Sequence, residues 1–370
     1  MKPLIFNAHH ISLELLKKRL NPSEIIDNYE KQLEDYFLIK NPKYKFIKEY
    51  QQDFENFLKK KLKNKTLDKV GKWIYFPWNK KLIHCLDEKE FFETKTARNI
   101  YLLTKDEQIK FYKSRIGIAG LSVGSHIALT LAMIGGARYM KIADNDEISL
   151  SNLNRLRYPI SSIGINKAIY CAQQIYEINP YASLKIYSEG ITYKNIDNFL
   201  LKPKIDVLIE EMDNLYLKIK IREKAKKYRI PVIMATDHAD NILIDIERYD
   251  LNPNYPILHG LLGNLSSENL KNLNPQDMIK ITAKIAGANL ATPRMLYSLI
   301  EVGKTIYSWP QLGNAATLCG VAVSYLSKKI ILGGKIKEGR ILLNIDKMLS
   351  ILPKDFKKQQ KYFLKKLKKL

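Results

Sequence analysis

RIGIAGLSVGSHIALTLAMIGG, residues 115–136, decides the fold class. Its first five residues form a short apolar run of strand type, and Gly120-Leu121-Ser122 supplies a small-residue turn. An apolar helix is expected from Gly124 to Ile134, ended by Gly135-Gly136 in the manner of a helix C-cap. A strand, a tight turn and a helix N-terminus together make an anion site, because unpaired N–H groups and the helix dipole face the turn. The turn departs from the dinucleotide fingerprint G-x-G-x-x-G. Ala119 and Leu121 stand where its first two glycines would be, and only Gly124 is in register. Taken alone, this turn is equally well read as an ordinary strand-to-helix connection.

Working outward, YMKIAD (139–144) reads as a second strand, and a helix around 164–178 stops at Asn179-Pro180, where proline cannot continue it. SLKIYSE, DVLIEEM and PVIMAT are three further strands, with a helix from Leu215 to Tyr228 between the last two. Strands alternating with helices of this length predict an α/β protein with a Rossmann-like, doubly wound, mostly parallel sheet. Segments near 242–248 and 256–258 are expected to extend that sheet. Residues 270–335 are expected to be mostly helical, and GRILLNI near 340–346 to return as a strand. Upstream, 11–20, 23–38 and 44–64 carry helical spacing, and KWIYFPW and KLIHCL read as two strands around Asn79-Lys80. The organisation predicted is an α-rich accessory module over 1–95, the nucleotide-binding domain over 96–270, and a mostly helical extension with a basic tail over 271–370.

Composition narrows the class. A chain of 370 residues with 46% hydrophobic and 10% aromatic residues can bury a large core. Its apolar runs fall short of the roughly eighteen residues a membrane span needs, and its N-terminus has no signal-like apolar core, so the expected location is cytoplasmic. Three scattered cysteines, Cys85, Cys171 and Cys319, argue against a disulfide framework and a CxxC zinc site. The net charge of +23 favours anionic ligands such as nucleotides, or acidic proteins; nucleic acid is not an expected partner. The densest basic run, KDFKKQQKYFLKKLKKL at the C-terminus, reads first as a solvated amphipathic helix end.

In a doubly wound sheet, ligands bind beyond the carboxyl ends of the strands. Unusual polar residues recur there. The second strand ends in Asp144-Asn145-Asp146; an acidic group here can accept from ribose hydroxyls, or simply cap a loop. In SNLNR (151–155), Asn152 and Arg155 lie three apart and share a face on a helical turn. An amide beside a guanidinium suits phosphate oxygens. Lys167 opens the following helix as a second cation. Singly, each of these basic residues reads as solvated surface. After the strand DVLI comes Glu210-Glu211-Met212-Asp213-Asn214, where a carboxylate suits Mg²⁺, or Asp213 an N-cap.

Seven ordered elements carry a resemblance: ARN (97–99), IAGLSVGS (118–125), ADND (143–146), SNLNR (151–155), GINK (164–167), NP (179–180) and MDN (212–214). Together they resemble the ThiF/MoeB/HesA family, relatives of the ubiquitin-activating enzymes. The run from KWIYFPW to ILHGLL is similar to a bacterial subgroup with an extra N-terminal module. The resemblance implies an ATP-dependent adenylyltransferase that converts a carboxylate to an acyl-AMP, classically the Gly-Gly terminus of a ubiquitin-like or sulfur-carrier protein. It implies a turn of Gly120, Ser122 and Gly124 for ATP, with Asp144 on the ribose and Asp146 beside it. Asn152 and Arg155 would hold phosphates, Lys167 the charge at the α-phosphorus, and Asp213 the Mg²⁺. Arg98 matches an arginine that reaches the triphosphate, often from the partner subunit, so a homodimer is implied.

Departures accompany the match. Ala119 and Leu121 replace glycines, Leu156 replaces a common glutamine, and without a CxxC pair no structural zinc is expected. No cysteine loop for a thioester step is evident; Cys85 and Cys319 read as buried thiols. Two other functions share the layout. One is a nucleotide-binding protein without turnover; the other is an NAD-dependent oxidoreductase, which leaves Asn152, Arg155 and Lys167 unexplained.

Overall fold

A computed structural model describes residues 2–263, 266–270 and 273–367, so the last three lysine and leucine positions of the basic tail lie outside the described residues. The chain forms two compact units.

The first unit comprises Met1–Ile109 with Gln173–Ala182. Its four strands are β1 (Leu4–Asn7), β2 (Glu24–Ile26), β3 (Lys72–Phe76) and β4 (Lys81–Cys85), in the order β1-β3-β4-β2. β3 and β4 form the expected antiparallel hairpin, and β2 lies parallel to β4. The helix predicted over 23–38 is therefore shorter. Asn21 takes a left-handed conformation that ends the helix Leu13–Leu20. The β-branched pair Ile25-Ile26 then joins the sheet, and a helix starts only at Tyr29. Trp73, Leu82 and Leu16 are fully buried between this sheet and the first helix. His84 is also fully buried, stacked between the rings of Trp73 and Tyr29.

The second unit comprises Lys110–Ala172 and Ser183–Leu370. It holds β5 (Arg115–Ala119), β6 (Tyr139–Ala143), β7 (Ser183–Tyr187), β8 (Val207–Glu210), β9 (Val232–His238), β10 (Asn241–Glu247) and β11 (Gly339–Leu343). Their order is β11-β10-β9-β8-β5-β6-β7. The five strands β5–β9 run parallel, and β10 and β11 add an antiparallel edge. The predicted α/β, doubly wound, mostly parallel sheet is thus present. Because strand side chains alternate, β5 serves two layers. Ala119 packs in the cluster formed with Phe199, Ile221 and Ala225 of the helices Ile196–Leu201 and Leu215–Lys227. Ile118, pointing the other way, lies under Gly124 of the helix Val123–Met133.

That helix is apolar all round and buried along nearly its whole length, as a helix covered on two sides must be. The second cover is the helix Gly313–Ile331, which packs on it and on β9. A Cβ at Gly320 would stand 2.8 Å from that of His126, so the two helices meet at a glycine.

The segment 256–258, expected as a strand, is instead part of a turn, Ile257–Gly260, with Leu258 and His259 at positive φ. Two buried carboxylates hold it. Glu247 accepts the Leu258 N–H at 2.7 Å, and Asp245 contacts His259 Nε2 at 2.8 Å. Among the described residues no helix is long and apolar enough to cross a membrane.

Candidate functional site at the strand ends

The five parallel strands of the second unit end on one side of the sheet, and β5 sits between β6 and β8, where the winding reverses. The turn after β5 is very tight. Gly120 has φ +91°, and a Cβ there would meet Glu211 O and lie 2.5 Å from Glu211 C and 2.9 Å from Met212 N. Backbone thus passes against backbone, which only glycine permits. The Gly120 N–H donates to Ala143 O at 2.8 Å, and Glu211 N–H to Ala119 O at 2.7 Å, so three strand ends are sewn together.

Asp144, at the end of β6, is nine-tenths buried and bridges the turns. Its Oδ2 accepts the Leu121 N–H at 2.6 Å and its Oδ1 the Asp146 N–H at 2.9 Å. Burial raises its pKa, with Lys167 and the two N–H donors opposing. Ser122 precedes the helix Val123–Met133, and no side chain caps that N-terminus.

Lys167 begins the helix Lys167–Ile178. Asn166 places it there: its Oδ1 accepts the N–H groups of Ala168 and Ile169, and its Nδ2 donates to Asp144 O at 3.0 Å. The Lys167 side chain is 8% exposed, and its Nζ is 2.8 Å from Oδ2 of Asp146, itself 62% exposed.

SNLNR folds as a short 3-10 turn, Leu150–Asn154, with Ser149 and Asn152 forming a reciprocal capping box. This leaves Arg155 at the turn's end. Its Nε donates to Ser122 Oγ at 3.4 Å, and its Nη1 to Asn154 Oδ1 at 3.1 Å and Ser151 O at 3.3 Å. Burial lowers its pKa, while the fields of Asp237 and Asp213 oppose that. No carboxylate pairs with it among the described residues. A half-buried guanidinium held only by neutral oxygens keeps its charge available for an anion.

The acidic run after β8 divides its labour. Glu210 is fully buried against Lys218, at 2.9 Å, and Arg222. Burial pushes its carboxyl up, but those two cations prevail and hold it below the ordinary range. Glu211 turns back to accept the Ala235 N–H at 3.0 Å, and burial pushes its carboxyl well above that range. The N-cap of the helix Leu215–Lys227 is Asn214, which accepts the Leu217 N–H at 3.0 Å, not Asp213. An amide takes the cap, and Asp213 stays exposed at the strand end.

Gly120, Ser122, Gly124, Asp144, Asp146, Asn152, Arg155, Lys167 and Asp213 therefore all stand on the connections that follow β5, β6 and β8 in one unit. Arg98 is exposed on a turn, Ala97–Asn99, of the first unit.

A model of the ThiF family matches residues 96–239. The chain carries a ThiF-family domain. An uncharacterized protein of Mycobacterium tuberculosis is 35% identical over 286 residues, covering 77% of this chain and 39% of that one. A probable molybdopterin-synthase adenylyltransferase of Porphyra purpurea is 27% identical over 213 residues, 57% of this chain and 50% of the relative. The chain thus spans half or less of the length of these two relatives. Among solved structures, E. coli MccB with MccA-N7isoASN aligns at a TM-score of 0.49 and 15% identity, covering 84% of this chain and 83% of that one.

Residues outside the motifs also border this cluster. Asp237, at the end of β9, is 5% exposed. It accepts Gln311 Nε2 at 3.1 Å and the Cys319 thiol at 3.3 Å. His126 Nε2 contacts Arg155 O at 2.5 Å and fixes that turn from below. Nothing in the local sequence marks Gln311, which lies far along the chain from its partners. All three cysteines are buried, and burial pushes the thiols of Cys85 and Cys171 up to about 12. Cys319 is raised too, by burial and then by Asp237 and Glu211.

Proposed function

We propose that the chain uses ATP to activate a carboxylate as an acyl-adenylate, with release of pyrophosphate. The observation that carries this reading is Arg155: a guanidinium without a carboxylate partner among the described residues, bonded to Ser122 at an uncapped helix N-terminus, with a second cation, Lys167, on the same β6–β7 connection. Anionic phosphate is the ligand such a grouping suits. In the proposed reaction a carboxylate oxygen attacks the α-phosphorus, the bond from that phosphorus to the bridging oxygen breaks, and pyrophosphate leaves. The attacking group is already ionised, so no general base is needed. The chain's contribution is to orient the nucleotide and to compensate charge on the phosphate oxygens.

Asp144 is the proposed ribose acceptor, with Gly120, Ser122, Gly124 and Asn152 around the phosphates. The pairing of Lys167 with Asp146 supports a lysine that exchanges an exposed carboxylate for the α-phosphate when ATP enters. Asp213 has the chemistry of a Mg²⁺ ligand: an exposed carboxylate freed from capping by Asn214. One carboxylate is enough, since Mg²⁺ usually keeps waters and takes its other ligands from phosphates. Bound there, the ion would supply positive charge to the triphosphate. Arg98 is proposed to reach the triphosphate from a second copy, which makes the working form a homodimer. The acceptor proposed is the C-terminal carboxylate of a ubiquitin-like or sulfur-carrier protein.

Calorimetry with MgATP tests the reading. Wild type is expected to bind, and Arg155→Ala with Lys167→Ala to lose binding at least a hundredfold, at about 1.5–3 kcal/mol for each charged hydrogen bond. Equal binding by that double variant would sink the proposal. For the dimer, mixing Arg98→Ala with Lys167→Ala subunits is expected to restore part of the AMP-forming activity that each lacks alone.

A further inference from the structure

Arg155 is held by more than its own turn. Its Nη1 donates to Asn154 Oδ1 at 3.1 Å. The other end of that amide, Asn154 Nδ2, donates to the main-chain oxygen of Gln311 at 2.8 Å. The side chain of Gln311 then donates to Asp237 Oδ2 at 3.1 Å. A continuous line of hydrogen bonds therefore runs from the end of β9, through residue 311, to the guanidinium. The contact is also steric. A Cβ on Gly313 would stand 2.8 Å from Asn154 O and 3.4 Å from Arg155 Cα, so the start of the helix Gly313–Ile331 lies directly on the turn.

The physical need for such a line follows from the site. A guanidinium with no ion-pair partner is free to swing, and a charge that swings gives up part of its affinity for phosphate to side-chain entropy. Asp237 is buried and bonded on both oxygens, to Gln311 and Cys319, which makes it a fixed anchor. Asn154 has an acceptor facing Arg155 and a donor facing Gln311, so its orientation is set at both ends.

We propose that Gln311 and Asn154 are positioning residues for phosphate binding. They tie Arg155 to the Asp237 anchor and make the region beyond residue 239 a working part of the nucleotide site. This inference rests on the adenylation reading, and its test separates the two. Gln311→Met keeps the length of the side chain and the main-chain link but removes the donor to Asp237. Asn154→Ala removes the middle link. Gly313→Ala is an independent steric push on the same turn.

Binding of MgATP and of adenosine to the full chain is measured by calorimetry, with thermal melts as a folding control. Gln311→Met and Asn154→Ala are each expected to weaken MgATP about tenfold, the loss of one hydrogen bond to a charged group. Adenosine, which carries no phosphate, is expected to bind each variant within twofold of wild type. The double variant is expected to match the weaker single one, because both break the same line. Gly313→Ala is expected to weaken MgATP in the same direction. A general structural defect would move both ligands together. Wild type that binds MgATP, alongside variants that bind it equally well or lose adenosine in parallel, overturns the positioning role alone. Wild type that binds no MgATP overturns the adenylation reading and this inference with it.

Discussion

Gly120→Ala tests the geometry on which the site is built. At φ +91° an alanine is strained by about 1–2 kcal/mol before any contact is considered. Its Cβ would also lie 2.5 Å from the Glu211 carbonyl carbon, and must retreat about 0.9 Å to reach the 3.4 Å of an ordinary contact. Both sides are main chain, so no rotamer change relieves the overlap. Separating the turns stretches the hydrogen bond that joins them, Glu211 to Ala119, and displaces the Gly120 and Leu121 donors relative to Ala143 and Asp144 at the end of β6, so three hydrogen bonds are perturbed. At about 1 kcal/mol per weakened bond, the expected cost is about 3–5 kcal/mol. That is a large part of the stability of an ordinary domain. Urea unfolding followed by far-UV circular dichroism measures it, with calorimetry on the folded variant at low temperature to read MgATP affinity. Gly124→Ala is the comparison. Its Cβ would meet Ile118 Cγ2 at 2.9 Å, a side chain able to shift, and its expected cost is about 1 kcal/mol. A Gly120→Ala protein within about 1 kcal/mol of wild type, or no less stable than Gly124→Ala, would refute the argument that this turn is backbone-limited.

Other outcomes follow from single interactions. Arg222 is buried between Glu210 and Glu247, so Arg222→Met leaves Glu247 without a cation among the described residues and Glu210 with Lys218 alone, and is expected to cost about 3–5 kcal/mol, read by the same unfolding curve; a neutral substitution would show that the network is dispensable. Lys141 Nζ donates to the carbonyls of Asn198, Phe199 and Pro203, and Lys141→Met is expected to destabilise by about 1–3 kcal/mol by leaving them unmatched. Burial lowers the pKa of His126 below its ordinary 6.5. Below that pH the unfolded chain binds the proton more readily, so stability is full above about 6.5 and is lost as pH falls from there through the folded value. His126→Gln keeps a donor for Arg155 O but cannot titrate. Thermal melts from pH 7.5 to 5 are expected to fall less steeply for it than for wild type, and identical slopes would contradict the assignment.

Much of this was legible along the chain because it depends on near neighbours. The apolar runs of β5 to β9, the helix stop at Asn179-Pro180 and the polar strand ends are all local patterns, and the sheet follows from them. The glycine turn was legible only in part. Read against a fingerprint it lacks two glycines, yet the conformation that needs glycine falls on Gly120, whose constraint comes from Glu211 on another strand. ILHGLL has the composition of a strand but turns, because Glu247 and Asp245 capture its Leu258 N–H and His259 ring. Gln311 carries no local signal at all. Its role exists only once the fold sets it between Asn154 and Asp237. Likewise the short strand β2 is decided by its parallel partner β4, not by its own charge-rich spacing.

Incorporation of labelled pyrophosphate into ATP reads reversible adenylyl transfer itself. The assay runs the full chain with Mg²⁺ and a panel of polypeptide acceptors, each offered with a free and with an amidated C-terminus. Exchange is expected with a free-carboxylate acceptor, lost on amidation and lost in the double variant Arg155→Ala, Lys167→Ala. Exchange that survives in the double variant, or ATP turnover that yields orthophosphate and ADP in place of pyrophosphate and AMP, would contradict the adenylation reading.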